Sequence, residues 1–422
     1  MKKVLFIFAV FLCLLKFIGC HRESARREIV FWAFGAEGEN VKPLIREFSD
    51  STGVKVKLQT IPWTAAHEKL LTAYAAGAMP DICQLGNTWI PEFVALNAVV
   101  PLDEFIERSE RIDRNFYFPG IWETNILEGK VFGIPWYVDT RVVFYRKDLI
   151  RKAGYTNFPK TFDDLLKLSR AIVSGKLAKY AILLPVNEWN IPVLFGLQFG
   201  ADFLKENNCY GDFSSSEFQE AFDYLLGFYK ERLAPVGLTE VSNIYQGFSV
   251  GYFAMLITGP WNLGEFRKRL PDSLIKELGV APIPSICDTS YPGYSLAGGS
   301  SLVVFKSASA KAEVFKLIEF LSRPVSQVKF YRLTGDLPAR LESWEILLKT
   351  EDEALKAFYL QLTKVKPTPK IPEWEQIAMK LQEYLEYAAH EKFTTDETLK
   401  RLDSEINMML EKRRWLLNRC KK

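Results

Sequence analysis

Histidine is nearly absent. The 422 residues hold three, His21, His67 and His390, scattered over the chain. Such a chain shows no His-based metal site and no Ser-His or Cys-His catalytic set. Cysteine is almost as sparse, at six. Cys13 and Cys20 belong to the N-terminal segment. Cys83, Cys209, Cys287 and Cys420 are far apart and never spaced C-x-x-C, so no zinc ribbon or dithiol motif is present. Cys83 in "DICQL" reads as a small buried apolar residue, and sequence alone leaves any pairing of the four open. No metal and no cofactor is expected.

A surplus of one charge is also missing. Residues 21–410 carry 45 basic and 50 acidic side chains. The bases gather at the two ends: Lys2, Lys3 and Lys16 with no acid, and "EKRRWLLNRCKK" with six bases and one acid. That pattern excludes a nucleic-acid surface; the tail reads as a solvated helix end. Internal repeats are missing, which excludes a solenoid. Hydrophobic residues at 48% and charged residues at 25% describe an ordinary globular chain, long enough for two or three domains.

The first twenty residues, "MKKVLFIFAVFLCLLKFIGC", are an export signal. Val4–Leu15 is an apolar run too short for a comfortable membrane span and right for a signal-peptide core. The end, Phe17-Ile18-Gly19-Cys20, resembles a bacterial lipobox, with Phe17 where Leu is usual and Lys16 interrupting the approach. The expectation is lipid attachment at Cys20 and an exported, membrane-anchored protein.

The mature chain opens β-α-β-α-β. Ile29–Phe31 reads as a strand emptying into a loop of Gly and acids. Val41, Leu44, Ile45 and Phe48 share one helix face, stopped by Gly53. Val54, Val56 and Leu58 alternate as a half-buried strand. Thr64 is expected to cap a helix ending at Gly77, and "PDICQLG" is a third strand. This is a parallel-sheet pattern with helical crossovers. Thr161 and Asp164 are spaced as a capping-box pair. The apolar run Phe253–Ile257 breaks at Gly259-Pro260 and sets Trp261 and Asn262 at the mouth of a turn. A core Trp needs no such setting; a ligand-facing one does.

Several segments, in order, resemble extracellular solute-binding proteins of ABC-type sugar importers, the maltose-binding-protein-like group. They are "AYAAGAMPDICQLGNTWIPEF", "GKVFGIPWYVDTRVVFYRKD", "GYFAMLITGPWN", "GVAPIPS", "SLAGGSSLVVFKSASAKAEVFKLIEFL" and "PTPKIPEWEQI". "QLGNTWIPEF" is similar to members that bind cello-, chito- or xylo-oligosaccharides. The resemblance implies an α/β, two-lobe periplasmic-binding-protein fold of type II, each lobe a mostly parallel sheet flanked by helices, joined by a hinge. Lobe 1 would be 28–135 and 301–335, and lobe 2 would be 138–298 and 338–422. The crossings would fall at "IPWYVD", "AGGSS" and "TGDLPAR". The implied function is capture of a di- or oligosaccharide by a monomeric receptor that hands it to ABC permease subunits.

A pyranose has an apolar face and a rim of hydroxyls, so its site wants flat rings beside amides, carboxylates and guanidinium groups. Open α/β sheets carry such groups beyond the carboxyl ends of their strands. Trp261 and Asn262 fit, one to stack and one to hydrogen-bond, and the resemblance puts Trp261 at a family site position. Trp63 either stacks on ligand or staples its own helix. Gly86 stands where some members have a polar contact, which would pass to Asn87 or Gln84; Trp89 reads as the packed start of the next helix. Tyr137 and Asp139 match family contact positions, and Arg141 beside them either contacts ligand or forms a fixed ion pair with Asp139. Gly298, Gly299 and Ser300 suit a hinge turn, a close approach to ligand, or both. Trp374 lies where the family often has an aromatic. Phe34, Glu37 and Trp189 are further candidates on polar loops. Two other functions stay open. An exported glycoside-active enzyme would need a carboxylate pair across the cleft, and Glu37 and Asp139 are available. A receptor for a non-sugar solute would show a different site chemistry.

Overall fold

The computed structural model describes residues 28–237 and 241–419. The expected export signal and Cys20 lie outside the described residues, as does Cys420. Along the chain run β1 (Ile29–Phe34), α1 (Gly35–Asn40), α2 (Lys42–Thr52), β2 (Val56–Ile61), α3 (Trp63–Ala75) and β3 (Ile82–Gly86). Then come β4 (Ile134–Asp139), β5 (Val142–Arg146), α4 (Phe162–Ser174), β6 (Tyr180–Leu183) and α5 (Asn190–Gln198). β7 (Phe253–Thr258), α6 (Trp261–Arg269), β8 (Leu278–Ala281) and β9 (Gly298–Val304) follow. The remainder includes α7 (Lys311–Leu321), α8 (Pro324–Thr334), β10 (Leu337–Pro338), α9 (Trp374–Ala389) and α10 (Thr395–Met409).

Two sheets organise the molecule. The larger has the order β10-β4-β9-β3-β1-β2, the smaller β8-β5-β7-β6. β1 pairs in parallel with β2 and with β3, as a β-α-β-α-β opening requires. Most strands of each sheet run one way, but reversed strands are inserted: β9 lies antiparallel between β3 and β4, and β5 lies antiparallel between β7 and β8. The cause is connectivity. β5 enters straight from β4 through Thr140 and Arg141, with no crossover helix to carry the chain back.

Two local expectations change. β1 runs on to Phe34 and passes directly into α1, so Glu37 sits on a short helix and not in an open loop. Thr64 is not a cap: α3 already begins at Trp63, with Pro62 before it and no side-chain cap. The Thr161 hydroxyl does accept the Asp164 N–H at 3.2 Å.

One apolar core lies along the larger sheet and reaches Phe144 and Leu256 of the smaller one. A second, around Phe195, Phe218 and Leu381, packs α5 and α9 on the smaller sheet. Phe144 meets Phe358 edge-on at 6.2 Å, so the segment after β10 braces both sheets. The chain passes between the sheets at Thr140-Arg141, at Ala297, and again after Pro338.

Candidate functional site

A cleft of about 590 Å³ opens between the two sheets. Its residues come from strand ends and helix starts: Glu37 after β1, Trp63 after β2, Asn87 after β3, Asp139 closing β4 and Trp261 after β7. β9 runs the opposite way, so its first residues reach the same end. Gly298 stands opposite Asp139, and Ser300 opposite both Tyr137 and Gly86. The cleft therefore lies beyond the carboxyl ends of the strands, where an open α/β sheet leaves unpaired loops.

The floor is built on the Tyr137 hydroxyl. It donates to Glu37 Oε1 at 3.0 Å and accepts from Gln84 Nε2 at 2.9 Å and Ser300 Oγ at 3.0 Å. One donor and two acceptor sites are a hydroxyl's full capacity. Burial, with the Glu37 charge adding to it, pushes the Tyr137 phenol well above its ordinary range, so it stays neutral. Glu37 also accepts the Trp63 indole N–H at 3.3 Å. Trp63 and Trp89 form a corner, ring centres 5.7 Å apart and planes at 67°, with Phe34 packed edge-on against Trp63 at 5.0 Å.

On the facing side, Trp261 is 44% exposed. Its ring folds back over Gly259, where an added Cβ would stand 2.0 Å from the indole, so only glycine fits there. Arg141 lays its guanidinium over this ring, Cζ 4.7 Å from the centre, and donates to Asp139 Oδ1 at 2.7 Å. Gly299, at φ +117°, brings β9 so close that a Cβ would meet the Tyr137 carbonyl at 2.3 Å.

Two carboxyls on the cleft wall are held protonated more readily than usual. Asp336 lies just past the carboxyl end of α8. Burial raises it to about 7, and the charges of Glu37 and Asp139 push the same way. Burial also raises Glu375, against the lowering effects of the Thr88 hydroxyl and His67. His67 itself is raised by its 2.6 Å contact with Glu92.

The structure brings Glu37, Trp63, Gly86, Asn87, Tyr137, Asp139, Arg141, Trp189, Trp261, Gly299 and Ser300 together on one cleft. It withdraws four expected contacts. Gln84 is fully buried behind the floor, its carboxamide spent on Tyr137 and on the Phe34 N–H at 2.7 Å. Asn262 is on the buried face of α6, tied to Thr258 at 2.7 Å and to the Tyr245 hydroxyl at 2.7 Å. Phe34 is core beneath Trp63. Trp374 is fully buried among Ile371, Ile377 and Phe203, and Trp189 packs on its edge at 5.9 Å in its stead at the cleft.

Sequence reasoning passed over Thr88, Trp89, Asp336, Thr368 and Glu375, all of which line the cleft. Trp89 does start a helical turn, yet it also faces the cleft, and its place directly after β3 was the available signal. Asp336 sits within "TGDLPAR", a segment already marked as a crossing. Cys83, Cys209 and Cys287 are free thiols. Among the described residues no cluster of His, Cys, Asp and Glu suits a metal, and no helix is long and apolar enough to cross a membrane.

This arrangement has known relatives. Residues 35–328 match the model of the bacterial extracellular solute-binding protein family, and the chain belongs to that family. The structure superposes on that of the sugar-binding protein MalE of Xanthomonas citri with a TM-score of 0.89 and 41% identity, covering 93% of this chain and 99% of that one. The diacetylchitobiose-binding protein of Streptomyces coelicolor is 26% identical over 79% of this chain and 77% of its own. A putative binding protein of Brucella abortus is 26% identical over 78% of this chain and 79% of its own.

Proposed function

We propose that the protein is the substrate-binding subunit of an ABC importer and captures a di- or oligosaccharide in the cleft. The observation that carries this is the pairing of Trp63, Trp89, Trp189 and Trp261 with Glu37, Asn87 and Asp139 in one opening between two sheets. Rings cover the C–H faces of a sugar, and the amide and carboxylates take its hydroxyls. Relatives named for arabino-oligosaccharide, galacto-oligosaccharide and diacetylchitobiose binding support the same class.

Ligand bridging both walls favours a closed form by its preference for it, the lobes turning about the crossings. The lobes would be about 28–135 with 301–335, and 138–298 with 338–422; the membership of β4 and β9 in the larger sheet supports moving the first lobe's limits outward by a few residues. The protein acts as a monomer, exported and held at the membrane by lipid on Cys20, and passes its sugar to the permease without breaking a bond. Glu37, already taking hydrogen bonds from Trp63 and Tyr137, is placed to accept and not to attack.

The test is titration of the protein with maltose, trehalose, cellobiose, xylobiose, chitobiose and longer oligomers, by tryptophan fluorescence and calorimetry. Saturable binding with the sugar recovered intact is expected. Cleaved sugar would make the protein an enzyme, and silence across the panel would make its solute something else.

A further inference from the structure

A second opening, of about 440 Å³, lies away from the cleft, between α2, the segment around residue 110 and α7. Four cations line it, Arg108, Arg111, Lys316 and Arg323, against the two acids Glu110 and Glu319. Neither acid forms an ion pair with them, and the lining keeps an excess of two positive charges. Glu319 is taken by the Ser109 hydroxyl, and Arg108 reaches only Glu104, at 3.6 Å and in open solvent. Among the described residues Arg111, Lys316 and Arg323 form no ion pair. Glu47, whose charge reaches Arg323, is itself paired with Lys329 at 2.7 Å.

Arg323 is pre-positioned. Its guanidinium lies on the Phe320 ring, Cζ 3.9 Å from the centre, and Phe48 braces that ring edge-on at 5.5 Å. Its Nε is buried with no acceptor. It also caps the start of α8, an eleven-residue helix whose dipole is positive at this end. Burial and the charge of Arg111 both work against its own charge. The Arg111 backbone is held in place: Arg340 donates to its carbonyl at 2.6 Å, and its N–H donates to Ser109 Oγ at 3.1 Å, while its side chain is exposed. Arg323 is thus fixed with a buried donor unanswered, and Arg111 lines the same groove and works against its charge; an anion held by both would offset that repulsion.

We propose that this groove binds a phosphate-class oxyanion, free or as a lipid headgroup, through Arg111 and Arg323. A guanidinium fork matches two oxygens of such an ion, which a lysine in its place would not.

The experiment is calorimetric titration of the full chain with inorganic phosphate and with sn-glycerol 3-phosphate at constant ionic strength, repeated on R323Q, R323K and R111Q. Thermal unfolding shows which variants are folded. Saturable binding at millimolar concentration or below is expected, weakened about tenfold or more by each substitution, R323K included. Tighter binding of glycerol 3-phosphate would identify a headgroup, and equal or weaker binding a free ion. The proposal falls if phosphate gives no saturable binding, or if folded R323Q and R111Q bind it as the parent does.

Discussion

Arg141 lies flat over Trp261, Cζ 4.7 Å from the ring centre, while Asp139 holds it at 2.7 Å. One contact thus ties the end of the larger sheet, through the link Thr140-Arg141, to the Trp261 ring that follows β7 of the smaller one. Of the two readings of Arg141 suggested by the sequence, the ion pair with Asp139 is formed, and the residue also lines the cleft.

Trp261→Ala removes a ring that is half in solvent and carries little of the core. Sugar affinity should fall by roughly thirtyfold or more, as for other aromatic hot spots, while thermal stability changes by less than about 1 kcal/mol. A stable variant that binds normally would show that the ring does not touch ligand.

Trp374→Ala should do the reverse. The ring is fully buried, and its loss should cost about 3–5 kcal/mol of stability. Affinity should suffer only so far as Trp189 loses its backing. Denaturant unfolding beside a sugar titration separates the two effects.

Gly259→Ala tests the cleft without touching a ring. The new methyl would collide with Trp261, so the indole must swing away. Tryptophan fluorescence should shift, and affinity should fall nearly as far as in Trp261→Ala. Unchanged binding would mean that the backbone, not the ring, yields.

Tyr137→Phe deletes one hydroxyl and strands its three partners, Glu37, Gln84 and Ser300. A loss of about 1–3 kcal/mol in stability is expected from the unpaired groups, with weaker sugar binding because Glu37 loses a fixed donor. Tyr137→Phe as stable as the parent would refute the floor described above.

Asp336 gives a pH signature. Its folded-state pKa is raised, to about 7, so between about pH 4 and 7 the folded chain holds a proton that the unfolded chain has released. Stability from this group is full below that window and is lost as pH rises through it. Asp336→Asn should therefore melt higher than the parent at pH 8 and like it at pH 4. Equal differences at both pH values would exclude a titrating Asp336.

Much of this was legible in local sequence. The alternation of apolar residues marks β2, the period of Val41, Leu44, Ile45 and Phe48 marks α2, and Trp261 directly after a buried strand announced a ring at a strand end. These are matters of neighbours along the chain, where side-chain direction follows from backbone period. The order of short segments carried the two-lobe fold.

Other features belong to tertiary structure. Trp374 and Trp189 both follow polar or Pro-rich stretches, and only the packing of α9 on α5 buries the first and leaves the second at the cleft. Gln84 and Asn262 look like free amides in sequence; both are consumed by partners that folding delivers. Asp336 owes its raised pKa first to burial by the fold and then to the charge of Glu37, three hundred residues earlier. Periodicity determines which way a side chain points on its own element. What it then meets is decided by elements distant in the chain, and in this protein that decision separates the residues of the cleft from those of the core.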